Sequence, residues 1–352
     1  MWAAGGCGER DAEAGGMVVR ASFGEVGLSP GQFSYPRAID AIETEGGTEL
    51  FVCDKTARVQ RMTPEGTPIG VVRMPERELG KPTGITIAAH PLDPARRALW
   101  VADTHYHRVL VYDLPESEAF APEQLDPPPS EPVLSFGSYG DAVGEFIYPT
   151  DVAVLADASG AIERVYVSEY GGNDRITVFV PEGAGAEMTF VPSFVIGSFG
   201  NTEEAAGPDD VVFNRPQGLA IDARARGGAG ELVVADSCNH RLARLTLDGE
   251  LIAWVGGLGD EPGSFKYPYS VALLADSTAL VCEFGGCRVQ QVDLETGASL
   301  ATFGGPGFGE GTLAKPWGVA VVGGTAWVLD SGRNRVVGFD APARGLEVAR
   351  GG

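Results

Sequence analysis

Within Val234-Ala235-Asp236-Ser237-Cys238-Asn239-His240-Arg241-Leu242 stand a carboxylate, a hydroxyl, a thiol and an imidazole. A Ser or Cys nucleophile served by a His base is the arrangement acyl transfer uses, and His, Cys and Asp are the donors of zinc sites. Histidine is otherwise scarce, with His90, His105 and His107 elsewhere in the chain. His107 and His240 are the pair that could converge on a metal, with His105 two residues from the first. A third well-placed ligand is not apparent, because His90 belongs to the loop AAHPLDPARR. No nucleophile elbow, phosphate-binding glycine loop or paired-acid motif stands out. The cysteines Cys7, Cys53, Cys238, Cys282 and Cys287 show no CxxC spacing. Cys53 and Cys282 lie in apolar runs and are expected in the core; a Cys238–Cys287 disulfide stays open.

The elements that must carry these residues repeat. LFVCDKTARVQRM (50–62), LWVADTHYHRVLVY (99–112), VYVSEYGGNDRITVF (165–179), LVVADSCNHRLARL (232–245), ALVCEFGGCRVQQV (279–292) and AWVLDSGRNRVVGF (326–339) share one grammar. An apolar strand ends in an acid, a short polar or glycine turn follows, and an arginine opens a second strand. The acids are Asp54, Asp103, Glu169, Asp236, Glu283 and Asp330; the arginines are Arg58, Arg108, Arg175, Arg241, Arg288 and Arg335. Each copy opens on a proline motif, a proline set before a short alternating strand, at Pro36, Pro82, Pro149, Pro216, Pro268 and Pro316. Most proline motifs follow a Phe-Gly or Gly-Gly strand end and a G-x-F step, as in LSFG (134–137) with GEF (144–146). Four short strands per unit, with glycine and proline turns, predict a blade, and six units predict an all-β, six-bladed propeller of four-stranded antiparallel sheets over residues 17–350.

The units resemble NHL repeats, whose pattern is a Pro-x-Gly-aliphatic-Ala opening followed by an aliphatic-Ala-Asp-x-x-Asn-His-Arg-aliphatic hairpin. RPQGLAID with VVADSCNHRL matches it nearly throughout; copy two lacks the G-x-F step, and copies three and five carry Glu with a Gly-Gly turn. Strand MVVRASFG (17–24) stands before the first proline motif and is expected to complete blade six, with LEVAR (346–350) a competing candidate. Relatives with this architecture include zinc-dependent peptidyl-hydroxyglycine amidating lyases and calcium-dependent gluconolactonases. The resemblance therefore keeps a metal-dependent lyase or lactonase as the alternative function. For calcium, Asp151, Glu169 and Gln217 are the conceivable oxygen donors. No cofactor is required by the main reading.

Residues common to all six copies serve what all six share, so the acid–arginine pairs are expected to be scaffolding. Function is sought where copies differ. After the motif's proline come Arg37, Thr83, Thr150, Gln217, Tyr269 and Trp317. After the acid come Lys55, Thr104, Tyr170, Ser237, Phe284 and Ser331. Before the arginine come Ala57, His107, Asp174, His240, Cys287 and Asn334. If these three rings share a face, Arg37, Lys55, His107, Tyr170, Gln217, His240, Tyr269, Phe284 and Trp317 form a ligand-binding mouth of aromatic walls and cationic heads. Such a mouth suits a protein, peptide or small molecule. The expected function is a binding scaffold.

Twenty-six basic against 48 acidic residues give a charge of −22, which repels phosphate backbones and speaks against nucleic acid, including the RNA some NHL proteins bind. No apolar run is long enough to cross a membrane as a helix. Residues 1–16 read as a flexible tail in which MWAAGGC resembles the end of a bacterial lipoprotein signal, with Cys7 the lipid-anchored residue. That reading places the chain at the envelope; otherwise it is cytoplasmic. The acidic, proline-rich stretches 115–132 and 200–210 read as loops between blades, or as a partner-binding rim.

Overall fold

The proline motifs start six inner strands, Pro36–Thr44, Gly84–His90, Tyr148–Ala156, Pro216–Asp222, Pro268–Leu273 and Pro316–Val322, which pack side by side in a closed ring. This is a computed structural model, and it describes residues 18–114, 128–201, 210–274, 277–309 and 311–341. Each inner strand begins a four-stranded antiparallel sheet that runs outward, giving blades one (36–73), two (84–136), three (148–196), four (216–255), five (268–304) and six. Blade six takes three strands from 316–340 and its outermost from Val19–Phe23, paired antiparallel so that Phe23 faces Val336 and Val19 faces Phe339. The N-terminal strand thus closes the ring, while 346–350 and Cys7 lie outside the described residues. So do most of 115–132 and of 200–210.

The core is divided among the blade boundaries, because a sheet covered on both faces buries both sides of its strands. Phe51, Cys53, Leu99 and Val101 fill the boundary of blades one and two; Val234, Ala243, Tyr166 and Val178 fill that of three and four. Cys53 and Cys282 are fully buried, and Cys53, Cys238, Cys282 and Cys287 are all free thiols.

The repeated acid and arginine form a clasp in every blade. Arginine Nε donates to the carboxylate at 3.0 Å in Arg58–Asp54, 2.9 Å in Arg241–Asp236 and 2.7 Å in Arg288–Glu283, and the other three pairs match. The remaining guanidinium nitrogens donate to carbonyls of the loop leading into the blade, as from Arg241 to Val212. The acid accepts a backbone N–H from the same loop, as from Asn214 to Asp236 at 2.8 Å. Blade two, which lacks the G-x-F step, leaves Asp103 Oδ1 unpartnered, and Arg108 turns to Glu76 instead. The Phe-Gly and G-x-F motifs meet. A Cβ on Gly256 would stand 2.3 Å from the Phe265 ring, and Gly256 also has φ +81°.

The ring alternates. Two residues after the motif's proline stand Ala38, Gly84, Asp151, Gly218, Ser270 and Gly318, with glycine in every even blade. A Cβ on Gly84 would strike Thr150 O at 2.4 Å, and one on Gly218 would meet Tyr269 O at 2.8 Å. Blades two and three, four and five, and six and one therefore approach closely. Across the other boundaries a side chain from the odd blade reaches over. Asp40 accepts the Ile87 N–H at 2.6 Å, Asp151 that of Leu219 at 2.9 Å, and Ser270 Oγ that of Val319 at 3.3 Å.

Candidate functional site

The end of the ring where the proline motifs begin collects the three variable positions on one face, the proline face. In five blades the pairing register shifts at the residue after the proline, or just beyond it in blade four. A bulge of this kind re-aims a side chain out of the regular pleat. These positions supply Arg37, Gln217, Tyr269 and Trp317 to one cluster. Tyr269 stacks on Phe284 at 4.8 Å and meets Trp317 edge-on at 4.8 Å. The Arg37 guanidinium lies 5.1 Å from the Trp317 ring centre. Tyr170, half-buried, continues the wall to Tyr148 at 5.2 Å.

The residue before each of these prolines belongs to the same face and stands outside the three variable rings. Tyr35, Lys81, Tyr148, Arg215, Tyr267 and Lys315 alternate tyrosine with cation around the ring, and all but Tyr148 have φ between 52° and 71°. The signal lay in the dipeptides YP, KP, YP, RP, YP, KP. Arg215 lies 4.8 Å from the Tyr170 ring centre and 5.8 Å from that of Tyr269; Lys315 lies 5.8 Å from that of Phe284. Lys55 and Lys81, both exposed, occupy the corresponding sector between blades one and two.

The other variable residues hold blades together. Ser237 Oγ donates to Pro268 O, Ser331 Oγ to Pro36 O, and Thr104 meets Thr83, which donates to Thr150 O at 3.0 Å. His240 Nδ1 accepts the Tyr267 N–H at 3.0 Å, Asn334 Oδ1 that of Tyr35 at 2.7 Å, and Asp174 Oδ2 that of Arg215 at 2.6 Å. His107 Nδ1 bonds to Ile147 O, and its ring packs on Tyr139 and Tyr148. His107 and His240 are thus each engaged by the following blade, and His105 packs on Tyr148. Burial lowers the pKa of His240, with Lys266 adding to it; burial likewise lowers that of His105, with Lys81 adding.

These residues gather no zinc ligand set, and of the conceivable calcium donors Asp151 and Gln217 line the channel while Glu169 is withdrawn into its clasp. Among the described residues no three His, Cys, Asp or Glu side chains stand close enough to share an ion. Glu169 is held by Arg175 and the Ile147 N–H. His90, at the far end of the ring, faces Asp113.

The mouth is cationic in an acidic protein. Among the described residues, Arg37, Lys55, Lys81, Arg215 and Lys315 form no ion pair, whereas the six clasp arginines all do. Burial lowers the pKa of Arg37, and Arg215 pushes it the same way. Like charges held near each other in a desolvated mouth are unfavourable until an anion arrives.

The sequence profile of the NHL repeat matches residues 313–339, the proline motif and hairpin of blade six. The chain is a six-bladed propeller with an NHL repeat in blade six. No curated protein matches it in sequence. Among solved structures, this propeller is similar to the WD40 β-propeller domain of Doa1, with TM-score 0.50 and 11% identity, covering 93% of this chain and 98% of that one. The virginiamycin B lyase of Staphylococcus aureus aligns with TM-score 0.45 and 14% identity over 86% of this chain and 80% of the lyase. A streptogramin B lyase aligns with TM-score 0.47 and 14% identity over 86% and 78%. At such identities the likeness is one of fold.

Proposed function

We propose that this propeller is a binding scaffold whose proline face receives a protein or peptide partner carrying an anionic group. The observation that carries the reading is the half-buried pair Arg37 and Arg215, set among aromatic rings without a carboxylate partner among the described residues. Around that centre the loop leading into each blade exposes an apolar side chain: Val26, Leu79, Tyr139, Phe199, Leu258 and Phe308. Of the twelve exposed large apolar residues described, only Val18, Leu92 and Leu300 lie off this face. An apolar rim about a polar, aromatic centre is a feature of protein-recognition surfaces.

Selection from a displayed peptide library tests the reading, alongside elemental analysis of the purified protein. Enriched peptides should combine acidic and apolar residues, and Arg215→Gln should weaken them about tenfold or more, the usual scale for losing a charged hydrogen bond. Enrichment of basic peptides, or a stoichiometric bound metal, would overturn it.

A further inference from the structure

Inside the mouth on the proline face, the channel narrows to a cavity of about 40 Å³, room for about three water-sized atoms. Its wall includes Arg37, Thr83, Asp151, Gln217, Tyr269 and Trp317. Gln217 is 4% exposed, yet its amide Nε2 has no hydrogen-bond partner, and neither does the buried Nε of Arg37. An unsatisfied buried donor costs about 1–3 kcal/mol, so two in one wall point to a missing acceptor. Two side-chain oxygens of the wall are already engaged. Asp151 Oδ2 accepts the Leu219 N–H, while Thr83 Oγ1 meets Thr104 Oγ1 and donates to Thr150 O. Burial pushes the Asp151 carboxyl up to about 7, so an incoming anion meets a group that readily gives up its charge.

We propose that this throat is a carboxylate seat, in which Arg37 and Gln217 donate to the two oxygens and Trp317, Tyr269 and Phe284 flank the apolar stem behind them. The proposal rests on the reading of the proline face as the binding face. A peptide C-terminus and a free organic acid present the same group, and both fit its chemistry.

Calorimetric titration of the full chain tests the seat with two matched pairs: phenylpropionate against phenylpropionamide, and one library-selected peptide with a free against an amidated C-terminus. At least one acid form should bind tenfold or more tighter than its amide. Arg37→Gln and Gln217→Leu should each erase that preference, while Arg226→Gln, at the opposite end of the ring, leaves it unchanged. If Arg37→Gln fails to fold, Gln217→Glu, which replaces the donor by an acid, should abolish acid binding on its own. Acid and amide forms that bind alike, or no saturable acid binding, overturn the seat. Library-selected peptides that bind while neither matched pair shows an acid preference would sink the seat and spare the proline face as the binding face. An acid preference confined to phenylpropionate would keep the seat and assign it to a free organic acid instead of a peptide C-terminus.

Discussion

His240 adopts a left-handed conformation, φ 57°, and holds the next blade's backbone through Nδ1; Asn334, φ 53°, does the same through an amide oxygen. Asparagine tolerates that conformation well and offers an acceptor at the end of a short side chain. His240→Asn should therefore fold with nearly unchanged stability, and His240→Ala, which removes the acceptor of the Tyr267 N–H and the 4.5 Å ring contact with Tyr267, should lose about 0.5–1.5 kcal/mol, the net scale of a hydrogen bond that solvent can reach. Denaturant melts of the two variants check this; equal stability of both would show that the hydrogen bond carries no weight. The sequence displayed these residues as variable and so as candidates for function. Their variation is chemical synonymy, since His, Asn and Asp all accept one N–H, and a letter-by-letter comparison of copies cannot see that. Arg37, Gln217, Tyr269 and Trp317 were legible because the preceding proline fixes their place at the inner strand. Arg215 was not legible, because it precedes the proline and stands outside the strand that the proline marks.

The boundaries between blades place charge where it responds to pH. Asp151 and Asp40 bridge two of the three looser boundaries, and burial raises them to about 7 and about 6, while Ser270 does the same work uncharged at the third. A free aspartate ionises near about 3.9. Between that value and about 7 the folded chain keeps a proton on Asp151 that the unfolded chain has lost. The stabilisation is full below about 4 and is lost as pH rises through about 7. Asp151→Asn keeps an acceptor for the Leu219 N–H and does not titrate, so its melting temperature should fall less than the wild-type's between about pH 5 and 8. Parallel curves would show that Asp151 stays ionised. Asp151 is only half-buried, which makes the decline shallower than full burial would give. The alternation behind these bridges was present in the sequence as Ala, Gly, Asp, Gly, Ser, Gly two residues past the prolines. It has meaning only once the even-blade glycines are seen against a neighbouring backbone.

At the scale of the molecule, six copies were legible as six blades because each repeat carries its own strands and turns. Closure was harder to read, since it depends on an edge shared by the two ends of the chain. Val19–Phe23 pairs with Arg335–Asp340, and Phe23 lies 6.3 Å from the Trp327 ring. A solenoid needs caps, but a ring instead joins its ends, and an unjoined blade six would present the unpaired strand 335–340 to solvent. Deleting residues 1–24 should therefore lower the melting midpoint and produce self-associated species in size exclusion with light scattering. A synthetic peptide of residues 17–25 should reverse both effects by restoring the edge. A deletion variant that stays monomeric at the wild-type midpoint would hand that edge to another segment, with 346–350 the first to test by a second deletion. The same experiment separates the ring from the mouth. Tyr35, Arg37 and Trp317 sit where blade six meets blade one, so a loosened closure should weaken binding at the proline face before the blades themselves unfold.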